Sequence, residues 1–218
     1  MNGLILTGGS LDQAFAASLL ENYQFDKMIA VDGGLSAVKE LGLKPDAIVG
    51  DFDTAAPEIV DEYRKRACGA AWDIHKPEKD ETDTELALAT AARLGCTQVL
   101  LLGATGGRLD HLLANIHLLY YCHELGMAGR IVDPQNCLYL LLQGKTFIKS
   151  STWGKYISFI PFTERVTGIT LKGFKYPLNK KNITIGRESG LCVSNELTGE
   201  VGSIEFDSGI LVCVESKD

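Results

Sequence analysis

Over its first two thirds the chain alternates short apolar runs with longer segments whose apolar residues recur at helical spacing. Residues 4–7, 28–31, 47–49, 71–74 and 98–102 are short, rich in Val, Ile and Leu, and bounded by Gly or Asp, so they read as strands. The run at 98–102 is almost continuously apolar, as expected of a strand covered on both faces. Helices are predicted between them. The first is opened by Ser10 as N-cap with Gln13 three residues on; the others lie at 35–41, 57–68, 82–94 and 108–125. Strands near 131–133 and 138–142 continue the series. This rhythm predicts a mostly parallel sheet covered by helices.

After Gly144 the pattern changes. Residues 145–218 offer no good helix, only short alternating segments at 156–161, 168–171, 183–185, 191–193, 202–206 and 210–214, punctuated by Gly and Asn. Such spacing predicts an all-β module, a sandwich or a small barrel. The expected domains are therefore 1–144 and 145–218.

Composition narrows the class. With 45% hydrophobic and 22% charged residues over 218 positions, the chain has the apolar content for a real core. Its 21 Lys plus Arg against 28 Asp plus Glu give a net charge of −7, a poor match for nucleic acid or a membrane surface. No basic leader or membrane-length apolar run is seen, so a cytoplasmic address is expected. The six cysteines show no C-x-x-C spacing and sit mostly in apolar runs, which predicts buried free thiols.

The polar chemistry falls at the ends of the predicted strands, where ligands gather in an open parallel sheet. Asp32 follows the second strand, and Asp51 and Asp53 follow the third. Two carboxylates two residues apart in extended chain point the same way and suit a hard dication such as Mg²⁺; the same pair also serves as a solvated turn with Asp53 as helix cap. Thr82 and Glu85 form a T-x-x-E capping box, and the helix N-terminus it opens is a ready anion site flanked by Asp80 and Asp83. Gly103-Ala-Thr-Gly-Gly-Arg-Leu-Asp-His111 joins glycines that admit a ligand close to the backbone with an arginine able to fork onto phosphate. It is not a Walker A loop, and Gly8-Gly9-Ser10 is not G-x-G-x-x-G. His75 has no partner at zinc spacing, and Ser10 lacks a nucleophile elbow.

Taken in order, Val31-Asp-Gly-Gly34, Gly50-Asp-Phe-Asp53, Lys79-Asp-Glu-Thr-Asp83, Gly103–His111 and Gly190-Leu-Cys-Val-Ser-Asn195 resemble the thiamine pyrophosphokinase family over nearly the whole chain. The resemblance implies a Rossmann-like α/β domain, its mostly parallel sheet carrying helices on both faces, followed by a smaller β-sandwich domain. It further implies a homodimer with the active site between subunits. The implied reaction moves pyrophosphate from ATP to the hydroxyl of thiamine, releasing AMP, with Mg²⁺. Asp51, Asp53 and Asp83 would hold the metal, with Asp80 nearby. Asp32, Gly33, Gly34, Thr82, Gly106, Arg108, Asp110 and His111 would line the nucleotide and the reaction centre, Asp110 orienting or deprotonating the thiamine hydroxyl. Ser194 and Asn195 would face thiamine. The tryptophan that some relatives carry after the Ser-Asn segment, stacking on thiamine, is absent here. Two other readings share these residues: an Mg²⁺-dependent phosphotransferase acting on a different alcohol, and a nucleotide- or thiamine-binding regulatory module without turnover.

Overall fold

The structure is a computed structural model and describes residues 1–52, 56–65, 69–74 and 80–218. Contacts divide the chain into two compact units, Met1–Pro134 and Gln135–Asp218. The expected boundary at 144 differs because β7 (Asn136–Leu141) is paired along its whole length with β14 (Leu211–Ser216), which binds it into the second unit.

The first unit runs β1 (Asn2–Leu6), α1 (Gln13–Asn22), β2 (Lys27–Val31), α2 (Gly34–Glu40), β3 (Ala47–Gly50), α3 (Pro57–Lys65), β4 (Ala71–Ile74), α4 (Asp83–Arg93), β5 (Gln98–Leu102), α5 (Leu109–Glu124) and β6 (Ala128–Val132). Its strands are parallel in the order β6-β5-β1-β2-β3-β4. Ile5 of β1 lies in register with Ile29 on one side and Leu101 on the other, and all three are buried. That double coverage explains why these strands are apolar on both faces. The chain steps outward from β1 to β4, then returns to the far side of β1 at β5. Right-handed crossovers therefore place α1–α3 on one face and α4 and α5 on the other; α2 touches α3 and α4 touches α5. The reversal leaves a crevice outside the carboxyl ends of β1 and β5.

Two helix starts test the capping expectations. At α4, Thr82 is the N-cap, and its hydroxyl accepts the Glu85 N–H at 3.2 Å. At α1 the N-cap is Asp12 rather than Ser10: Phe15 N–H donates to its Oδ1 at 2.9 Å. Ser10 instead lies in the turn after β1, against Gly106. The part of the third helix predicted beyond Lys65, with Cys68, lies outside the described residues, as does His75.

The second unit adds β8 (Lys145–Ile148), β9 (Tyr156–Pro161), β10 (Arg165–Lys172), β11 (Leu178–Thr184), β12 (Asn195–Glu196) and β13 (Val201–Glu205). They form two antiparallel sets, β12-β9-β14-β7 and β11-β10-β13-β8. Phe147 of β8 and Phe159 of β9 meet edge to face at 5.8 Å, and Phe174 closes a triangle with both. These rings join the inner faces of two sheets, so the module is a sandwich. Glu215, 6% exposed, is satisfied by Tyr139 Oη–H and by Trp153 N–H at 2.7 Å, with Lys145 Nζ donating to the Tyr139 oxygen at 2.6 Å. A buried carboxylate needs such partners. No strand forms at the predicted 191–193: Leu191 closes a 3-10 turn, Ser189–Leu191, and the chain then bends through Cys192, Val193 and Ser194, the last with φ +53, before β12.

Cys96, Cys122, Cys137, Cys192 and Cys213 are buried thiols outside any disulfide, as expected. Burial pushes the Cys192 thiol up to about 11 and those of Cys122 and Cys213 to about 12, which leaves them poor nucleophiles. Among the described residues no helix is long and apolar enough to cross a membrane.

Candidate active site

Three carboxylates converge at the carboxyl ends of β2 and β3 and the start of α4. Asp32, Asp51 and Asp83 each offer an oxygen, and these oxygens lie within 4.8 Å of one another. The backbone is shaped to bring them there. Asp32 adopts φ +45 and Phe52 φ +64, two left-handed non-glycine positions on either side of Asp51. Asp32 N–H donates to Val49 O at 2.9 Å and its carbonyl accepts from Leu35 N–H at 3.0 Å, which fastens the turn to both β3 and α2. The Phe52 ring packs on Trp72 of β4 at 5.5 Å and anchors the turn after β3. Asp83 is set by α4, whose far end is tied to the sheet where Arg93 pairs with Asp73 at 2.7 Å and Thr90 donates to the same oxygen at 3.3 Å.

Beside this cluster the backbone forms a floor of glycines. A Cβ on Gly34 would meet Leu6 O at 2.2 Å, and one on Gly9 would meet Gly103 O at 2.1 Å. A Cβ on Gly106 would meet Ser10 Cβ at 2.4 Å, and one on Gly8 would meet Gly33 Cα at 3.4 Å. Gly34 and Gly9 therefore press on backbone where only glycine fits, Gly106 presses on the Ser10 side chain, and Gly8 makes ordinary contact with the turn after β2. Gly103 adds φ +72, with Thr7 O at 2.7 Å from where a Cβ would stand. Such a surface presents peptide groups rather than side chains, which suits close approach of a phosphate chain.

The far wall is the start of α5. Arg108, the N-cap residue, reaches Asp110 with both guanidinium arms: Nε donates to Oδ1 at 3.1 Å and a terminal nitrogen to Oδ2 at 2.5 Å. His111 N–H also donates to Asp110 Oδ1 at 3.0 Å. The Arg108 hydrogen bond outweighs the opposing effect of burial and, with the His111 backbone N–H and the nearby charges, pulls Asp110 down to about 2. Asp110 is thus a weak proton acceptor in this arrangement. Its carboxylate is engaged by Arg108 and by the His111 N–H. The His111 side chain is exposed.

The placement of the expected residues is uneven. Asp51 and Asp83, expected to hold the metal, lie together with Asp32, expected on the nucleotide. Asp53 lies outside the described residues. Asp80 is described and exposed but stands outside the carboxylate cluster. Thr82 is engaged as the α4 cap. Gly33, Gly34 and Gly106 belong to the floor, together with Gly103, which lies in the quoted Gly103–His111 motif, and Gly8 and Gly9, which the motif comparison sets aside. Their signal was present: a glycine pair ends β1, the central strand.

In the second unit, Asn195 is 1% exposed and its amide serves the chain itself. Its Oδ1 accepts from Tyr176 N–H and Glu196 N–H, each at 3.0 Å, and its Nδ2 donates to Tyr176 O at 2.9 Å. Ser194 is exposed, with φ +53 and its N–H donating to Ser158 Oγ at 2.9 Å. Asn195 therefore holds the backbone of Tyr176, a residue 55% exposed. Lys175 Nζ stands 5.6 Å from its ring. The sequence reading passed over Tyr176 because a lone aromatic in a loop carries no periodic signal.

A doubly wound α/β unit with a glycine floor at its switch point, a carboxylate cluster beside it and an appended β-sandwich defines a class of phosphate-transferring enzyme. The chain belongs to the thiamine pyrophosphokinase family. Residues 16–128 match the thiamin pyrophosphokinase catalytic domain, and residues 145–211 match the thiamin pyrophosphokinase vitamin B1 binding domain. It is 41% identical over 192 residues to the thiamine pyrophosphokinase of Bacillus subtilis, covering 87% of each chain. It resembles the crystal structure of thiamine pyrophosphokinase from Bacillus subtilis with a TM-score of 0.87 and 34% identity over the full length of both. Thiamine pyrophosphokinase 2 of Arabidopsis thaliana is 27% identical over 187 residues, 80% of this chain, and this chain spans 66% of that relative's length.

Proposed function

We propose that this chain transfers the terminal pyrophosphate of ATP to the hydroxyl oxygen of thiamine. The observation that carries the reading is the meeting of Asp32, Asp51 and Asp83 within 4.8 Å beside the glycine floor, in a chain of this family. Three carboxylate oxygens so close repel one another without a cation, and an all-oxygen donor set suits Mg²⁺, which takes one or a few carboxylates plus substrate phosphates. Asp32, Asp51 and Asp83 are the residues that would hold it, with Asp53 adjacent in sequence. When bound, the metal neutralises phosphate charge and helps orient the oxygens around phosphorus.

The chain's own groups supply positioning. Peptide groups of the glycine floor bind the phosphates, and Arg108, held by Asp110, forks onto a phosphate oxygen where charge builds. The hydroxyl oxygen attacks the β-phosphorus, the bond from that phosphorus to the α,β-bridging oxygen breaks, and AMP leaves with the electron pair while the hydroxyl gives up its proton. In-line geometry is the main requirement of such a transfer. On the substrate side, Ser194 and the ring of Tyr176, whose backbone Asn195 holds, are read as the thiamine contacts. An exposed tyrosine ring offers a face on which a cationic heterocycle can stack. Tyr176→Ala is expected to raise the KM for thiamine about tenfold, the scale of one desolvated cation–π contact, and to leave the KM for ATP within twofold. Equal rises in both would remove Tyr176 from the thiamine site.

The chain is further read as a homodimer whose site is completed between subunits. Leu109 and Leu113, 72% and 59% exposed at the start of α5 beside Arg108, support that reading. A cytoplasmic address belongs to the same proposal.

The deciding experiment is a product assay with Mg-ATP, with and without thiamine. AMP formed only with thiamine, and matched by thiamine diphosphate, is the expected result. ADP would mean transfer of the γ-phosphoryl group and would overturn attack at the β-phosphorus.

A further inference from the structure

The buried face of α5 carries one residue that its packing does not explain. Asn115, Leu119 and Cys122 are the buried positions of this helix, spaced as a single stripe. Leu119 and Cys122 pack on the sheet, where Gly129 of β6 would bring a Cβ within 2.8 Å of the Cys122 sulfur. Asn115 continues the stripe with an amide that is only 8% exposed. A leucine there would bury apolar surface at no polar cost, so the amide has a specific partner. That partner is Ala104 O, which accepts from Asn115 Nδ2 at 3.1 Å. Ala104 is itself 4% exposed and lies just after Gly103, inside the glycine turn that follows β5.

We propose that Asn115 is a positioning residue that fixes the Gly103–Gly107 turn and, through it, the binding of the ATP phosphates. This rests on the nucleotide reading given above. The turn is tied at its start by Thr7, whose N–H and hydroxyl both donate to Leu102 O at 2.9 and 3.1 Å. It is pressed from outside by Ser10 and Gly9 at Gly106 and Gly103. Asn115 supplies the tie from beneath, in the second turn of the helix that Arg108 caps. Gly103 and Gly107, with φ of +72 and +88, leave this segment more backbone freedom than any other residue type would, so a fixed path needs an added constraint. The Asn115 bond reaches the segment between them and links its path to the helix that carries Arg108. An enzyme whose chemistry is mainly positioning is sensitive to such a constraint even where no side chain touches the ligand.

The test uses the full chain with Asn115→Leu, which keeps shape and removes the donor, and Asn115→Asp as a second variant should the first fail to fold. Two readouts are taken on protein shown to be folded by thermal melting. One is amide hydrogen exchange over residues 103–107. The other is the affinity for α,β-methylene-ATP by calorimetry, with KM for ATP and thiamine measured alongside. Expected are exchange about tenfold faster in that turn alone and nucleotide affinity weakened about tenfold, the scale of one buried hydrogen bond, with the KM for thiamine unchanged. A purely structural role would lower the folded fraction and kcat, leaving nucleotide affinity as it was. Unchanged exchange in the turn would overturn the proposal, as would faster exchange with unchanged nucleotide affinity. If the unmutated protein failed to bind the ATP analogue, the proposed function would fall, and the exchange result would still decide whether Asn115 holds the turn.

Discussion

Asp51→Asn is expected to reduce turnover by about a thousandfold while leaving the fold intact. The side chain keeps its size and stays half-buried, so packing hardly changes. What changes is the donor set: one of three carboxylates that share a 4.8 Å space becomes neutral. A metal that stabilises transferring phosphate charge contributes several kcal/mol to the transition state, and about 1.4 kcal/mol is a factor of ten in rate. The Mg²⁺ concentration for half-maximal rate should rise as well, because an amide oxygen is a weaker ligand for a hard cation than a carboxylate. Relief of mutual repulsion among the three carboxylates predicts a further sign: without metal, the variant should melt no lower than the parent. Near-normal turnover with an unchanged Mg²⁺ requirement would remove Asp51 from the metal site.

Gly34→Ala is expected to be the most damaging single methyl group in the first unit. Helix propensity alone would favour alanine at this position by about 1 kcal/mol. The added Cβ, however, would stand 2.2 Å from Leu6 O and 2.7 Å from Leu6 C, and that backbone belongs to the central strand. Neither side can give way without moving β1 or α2. Overpacking of this kind costs about 1–3 kcal/mol where flexible side chains absorb it, and here rigid backbone must move instead. The melting temperature should fall by about 10 °C, at 2–4 °C per kcal/mol for a chain of this size, with loss of activity because Asp32 and Gly33 shift with α2. Gly8→Ala provides the contrast: its nearest neighbour would be Gly33 at 3.4 Å, ordinary contact distance, so the melt should move by no more than a degree or two. Equal effects from the two substitutions would show that the glycine floor is not sterically required.

Much of this architecture is legible in order of appearance along the chain. The βαβα rhythm is strong because strands buried on both faces must be continuously apolar, and Ile5, Ile29 and Leu101 meet that demand. Thr82 announces its own helix because capping is local chemistry, settled within four residues. Local signals mislead where a tertiary neighbour competes. Ser10 has the sequence of a cap, yet Asp12 takes the role, because Ser10 is drawn into the turn against Gly106, far away in sequence. Asn195 reads as a ligand-binding amide, but its hydrogen bonds go to Tyr176 and Glu196 once β12 is formed. Asp110 reads as a residue that orients or deprotonates a hydroxyl, and only the structure shows its carboxylate paired with Arg108.

The sequence by itself determined the alternation of elements, the change to β structure in the second unit, the family, and the residue types that chemistry on phosphates requires. These follow from periodicity, from turn chemistry and from ordered motifs, all of which are properties of neighbours in the chain. Only the tertiary structure decided which carboxylates share a site, because the meeting of Asp32, Asp51 and Asp83 depends on β2 lying beside β3 and on α4 crossing behind them. It likewise decided that Gly9 must be glycine, since the atom that forbids a side chain there is Gly103 O, brought close by parallel pairing of β1 with β5. Pairing order is a long-range choice among apolar strands that look alike in sequence. The site is built from what that choice brings together.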